Sequence, residues 1–160
     1  MKTKIFFQEP FSKHKATIIR SLIEYSLNTL LRPLEETTVH IDVIFERGLR
    51  KDYQMISSLD AIEEDGSEFE QFELCIDASA TIPEILSAVA HECVHIKQFV
   101  LKECHDSFHS KSQSALLHDT FYWEDPLEIE AYGRELGLVL RWLRHSGNTD
   151  KSWARGIRIH

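Results

Sequence analysis

His91-Glu92-Cys93-Val94-His95 sits inside a stretch, Thr81 to about Lys102, in which Ile82, Ile85, Leu86, Val89, Val94, Ile96, Phe99, Val100 and Leu101 recur at helical spacing. No Gly or Pro interrupts it after Pro83. Thr81 with Glu84 three residues on makes a capping box, and Pro83 falls in the first turn, where a missing N–H costs nothing. On such a helix residues i and i+4 share one face, so both imidazoles can reach one tetrahedral Zn2+. Glu92, about 100° further round, can face a water on that metal. With nine His in the chain, an HExxH run can arise by chance. Against chance stands a physical requirement: two imidazoles and a carboxylate among apolar neighbours need partners, and one metal ion satisfies both rings.

Two His do not complete a zinc site, which wants three protein donors and an open position. A glycine three residues and a histidine six residues after His95 would supply the metzincin extension, but Gln98 and Leu101 stand there. Downstream, Asp125-Pro126-Leu127-Glu128-Ile129-Glu130-Ala131 opens a second helix, with Asp125 as N-cap and Pro126 at its first position. Glu128 and Glu130 compete as third donor. Glu128 has a ready role closing a capping box near the positive end of the helix dipole. Glu130 shares its side with Gly133 and Gly137, whose small size would allow close approach to the HExxH helix, and this favours Glu130.

HExxH followed some 30 to 40 residues later by Glu-Ala at the start of another helix resembles the gluzincin metallopeptidases, in particular their short single-domain members, the minigluzincins, a size class that includes the ImmA/IrrE group. The resemblance covers about Phe72 to Leu143 and is specific at His91, Glu92, His95 and the Glu130-Ala131 pair. It implies one Zn2+ per chain held by His91, His95 and Glu130. It also implies peptide hydrolysis by a zinc-activated water, with Glu92 as general base. Larger gluzincins often carry an Asp four residues after the ligand Glu to orient a zinc His; Arg134 stands there, so that support must come from Glu135 or a backbone carbonyl. SprT-like zincins take His as third ligand, and His105, His109 and His118 keep that arrangement open. Tyr122 and Tyr132 are candidates for stabilising an oxyanion, with core packing as the competing role for each.

The 160 residues, 42% hydrophobic, suit a single globular domain with a sizeable core, undivided by linker or repeat. No apolar run approaches about 18 residues, and Met1 to Phe7 is too short for a signal peptide, so a soluble, cytoplasmic protein away from membranes is expected. A net charge of −8 disfavours nucleic acid as a partner; a peptide or protein substrate is expected instead. Three Cys, at 75, 93 and 104, lack CxxC spacing and speak against a disulfide framework or a Cys-based zinc site. The acidic cluster Glu63, Glu64, Asp65, Glu68, Glu70 and Glu73 reads as a solvated hairpin, with a subsite for basic substrates as the alternative. Lys151 to His160 reads as a peripheral tail or oligomer contact.

Ahead of the motif, Lys15 to about Leu31 is an amphipathic helix stopped by Pro33. A strand around Ile41, Val43 and Phe45 follows, then Gln54 to Ile62 pairing across Asp65-Gly66 with Phe69 to Asp77. The order helix, three strands, zinc helix, glutamate helix is α+β and zincin-like. By resemblance, Phe72 to Asp77 would be the sheet edge that aligns an extended substrate. Two other functions fit the same residues. One is a catalytically silent zincin-fold binding or structural protein whose zinc joins two helices; the other is a zinc hydrolase of non-peptide amides or esters.

Overall fold

Helix α3, Ile82–Val100, carries the motif and is the axis of the molecule. In this computed structural model, which describes residues 2–8, 12–32, 34, 37–53, 55–62, 70–103, 124–155 and 157, the expected cap is in place. Glu84 Oε2 accepts from the Thr81 N–H and the Thr81 hydroxyl, each at 2.8 Å. Preceding α3 are strand β1 (Lys2–Phe7), helix α1 (Lys13–Leu30), strand β2 (Thr38–Glu46), the short helix α2 (Leu49–Tyr53), and strands β3 (Ser57–Ile62) and β4 (Glu70–Asp77). Helix α4 (Pro126–His145) and a 3-10 turn at Ser152–Ala154 follow it.

The class is α+β, but the sheet has four strands rather than three, in the order β1-β2-β4-β3. β1 is the unexpected one: it carries a single buried side chain, Ile5, between Lys4 and the exposed Phe6, too weak an alternation to read as a strand. It runs parallel to β2, β2 parallel to β4, and β3 antiparallel to β4. β4 is therefore interior, and the expectation that Phe72–Asp77 forms the edge is corrected. Antiparallel pairing with β3 occupies one side of β4 and the parallel ladder with β2 the other, which leaves β1 and β3 as the edges.

Alternation puts Ile5, Val39, Ile41, Val43, Leu59, Phe72, Leu74 and Ile76 on one face, all buried in a single core cluster. Helix α3 packs on β3 and β4 and against both α1 and α4. At the helix entry, Asp77 accepts from the backbone N–H groups of Arg50 (2.8 Å) and Ser79 (2.7 Å), while the Arg50 guanidinium reaches Glu84. At its far end the Phe99 ring meets Phe72 edge-on, centroids 5.3 Å apart. Among the described residues after α4 the chain is docked and not peripheral: Trp153 stacks on Trp142, Ala154 is buried, and Ile157 packs on the core. No described helix is long and apolar enough to cross a membrane.

Every residue of α3 from Val89 to Gln98 is buried. Five of these ten are polar: His91, Glu92, His95, Lys97 and Gln98. A buried polar group left unpaired costs about 1–3 kcal/mol, and a charge more, so each of these side chains must have a partner.

Candidate metal centre

The i, i+4 spacing brings His91 Nε2 and His95 Nε2 to 3.0 Å, their rings at 75° to one another. The third donor comes from the first turn of α4. Glu128 Oε2 lies 3.3 Å from His91 Nε2 and Glu128 Oε1 lies 3.5 Å from His95 Nε2. Donor atoms on a tetrahedral ion at about 2.0–2.1 Å would stand roughly 3.3 Å apart; the two Nε2 atoms at 3.0 Å, one Glu128 oxygen at 3.3 Å from His91 and the other at 3.5 Å from His95 each lie near that value. His91, His95 and Glu128 could therefore hold a metal ion.

Electrostatics point the same way. Burial of the His91 ring is the largest single influence and opposes protonation, but Glu128, Glu135 and the charge of Glu92 together outweigh it and push its pKa up to about 10. His95 is raised too: burial opposes, Glu128 and Glu92 prevail, and His91 pulls the other way. Three carboxylates around two imidazoles make a pocket that demands positive charge, which a proton or a metal cation can supply.

Polar side chains stand behind His95, His91 and Glu92. His95 Nδ1 lies 2.8 Å from Gln98 Oε1. His91 Nδ1 faces Glu135 Oε2 at 3.3 Å, and Glu135 in turn accepts from the Ser87 hydroxyl at 3.0 Å, so Glu135 stands where the absent Asp was to be replaced. Ser57 lies on the inner face of the edge strand in register with Ile76, so its hydroxyl is aimed at α3, where it donates to Glu92 Oε1 at 2.7 Å. Ser57 and Gln98 escaped the sequence reading. Gln98 shares a helical face with His95 and could have been found by its spacing, whereas Ser57, 35 residues from Glu92, leaves no local signal.

Glu130 is not in the cluster. Its carboxylate receives Lys97 Nζ at 3.0 and 3.2 Å, Gln98 Nε2 at 3.0 Å and Arg134 Nε at 2.8 Å. The two reasons for preferring it both fail. Gly133 and Gly137 are exposed, and a Cβ added at either would meet nothing within 4 Å, so they do not draw α4 onto α3. The N-cap bond, meanwhile, is made by Asp125, accepting from the Leu127 N–H at 2.9 Å, while Glu128 turns to the imidazoles. Tyr132 has its ring 4.6 Å from that of His91 and is 43% exposed, which places it beside the cluster and not in the core. Tyr122, His105, His109, His118, Cys104 and the acidic residues 63–68 lie outside the described residues. Cys75 and Cys93 are buried and free, and burial pushes both thiols up.

No protein-family model, curated protein or solved structure matches the chain.

Proposed function

We propose that the protein is a zinc-dependent metallopeptidase of gluzincin type and zincin-like fold, with His91, His95 and Glu128 as metal donors and Glu92 as general base. The observation that carries this reading is the convergence of two imidazole nitrogens 3.0 Å apart with the Glu128 carboxylate, one oxygen of which lies 3.3 Å from His91 and the other 3.5 Å from His95, next to the buried carboxylate of Glu92. Zinc bound there would supply a Lewis acid for the scissile carbonyl and bring the pKa of water towards about 7. Glu92 takes the proton of the attacking water and delivers it to the leaving amine. The Ser57 hydroxyl occupies one oxygen of that carboxylate and leaves the other as acceptor. A peptide is the substrate class favoured by the sheet: β3, which carries Ser57, pairs only with β4 among the described residues, so its other edge can take an extended chain by strand addition.

Elemental analysis of protein purified without added metal tests the donors. About one zinc per chain is expected in wild type and Glu130→Ala, and none in Glu128→Ala. Glu92→Gln is expected to keep zinc and lose peptide hydrolysis; hydrolysis retained in that variant would sink the general-base role.

A further inference from the structure

We infer that Gln98 is a positioning residue that sets two of the three donors at once, an inference that rests on the metal reading above. Gln98 is fully buried and one helical turn beyond His95. Its Nε2 donates to Leu127 O at 2.9 Å and to Glu130 Oε2 at 3.0 Å. A backbone carbonyl and an ionised carboxylate only accept, so the amide must turn its NH2 towards α4 and its Oε1 towards His95. A carbonyl oxygen facing Nδ1 at 2.8 Å requires that nitrogen to carry the proton, which keeps Nε2 available as the donor atom. Helix α4 thus dictates the tautomer of a histidine on α3.

The second arm acts on Glu128. Leu127 is the preceding residue, so the bond to its carbonyl holds the backbone from which the Glu128 side chain projects. Glu130, expected from the sequence to bind the metal, acquires a different role: Lys97 and Arg134 hold its carboxylate, and that carboxylate orients the Gln98 amide. The relay runs from Arg134 and Lys97 through Glu130 and Gln98 to His95.

The test is Zn2+ affinity, measured on the purified full chain by competition with a chromophoric chelator, together with the visible spectrum of the Co2+-loaded protein. Gln98→Met keeps the length and removes every hydrogen bond; it is expected to bind Zn2+ about 10–100-fold more weakly and to shift the Co2+ bands, because the His95 ring is no longer fixed. Gln98→Asn keeps the amide but is one methylene too short to bridge, and it decides the matter if the Met variant does not fold, with a change in the same direction. Wild-type affinity and an unaltered Co2+ spectrum in either folded variant overturn the role of Gln98 while leaving the metal reading intact. A wild-type chain that takes up no Zn2+ overturns the metal reading and the role of Gln98 with it.

Discussion

Glu128 and Glu130 stand two positions apart, about 200° round a helix, and α4 aims them at different targets on α3. Glu128 meets imidazoles; Glu130 meets Lys97 and Gln98. Local patterns identify both as carboxylates in the first turns of a helix, but which one faces the histidines depends on how α4 is rotated against α3. His91, Glu92 and His95 were legible because five consecutive residues contain the whole relationship. The Ser57–Glu92 bond is testable on its own. A hydrogen bond to a charged group contributes about 1.5–3 kcal/mol, so Ser57→Ala is expected to lower kcat for peptide hydrolysis about tenfold with zinc content unchanged. Ser57→Thr, which restores a hydroxyl, should recover much of the loss; a wild-type kcat in Ser57→Ala would dismiss the contact as incidental.

Among the elements, α3 was the most completely legible, from its cap at Thr81 to its apolar periodicity. The cap carries a pH signature. Glu84 accepts from the Thr81 backbone, from Arg50 and from the Thr81 hydroxyl, and these bonds hold its carboxyl down at about 2 despite some burial. An unfolded glutamate titrates near about 4.3. The stabilisation is therefore complete above about pH 4.3 and is lost as pH falls through the folded value. The Tm of wild type should exceed that of Glu84→Ala at pH 6, and the gap should close as pH approaches 2; a gap independent of pH would rule out the carboxylate as its source. The strands were less legible. β2 alternates cleanly, with Val39, Ile41 and Val43 buried, whereas β1 has one buried side chain and is recognisable only through its partner.

For the whole molecule, the His91, His95 and Glu128 grouping depends on how α4 is fixed at both ends. Its N-terminal turn is tied to Gln98, and its C-terminal half is held by Trp142, whose Nε1–H donates to the Ser21 hydroxyl on α1 at 3.0 Å and whose ring stacks on Trp153. Trp142→Ala is expected to cost about 3–5 kcal/mol, read as a lower urea midpoint, and to weaken zinc retention by loosening the helix that carries Glu128. Unchanged stability would mean that α4 is held elsewhere. By itself the sequence determined the α+β class, the two principal helices at the site with their caps, and the pair of histidines with their glutamate, because helical periodicity and capping act within a few residues of one another. Only the tertiary structure decided the place of β1, the burial of β4 between two neighbours, the turning of Glu128 rather than Glu130 towards the histidines and the convergence of Ser57 on Glu92. Those depend on strand order and helix rotation, which are set by packing between segments distant in sequence and leave no periodic mark on the chain.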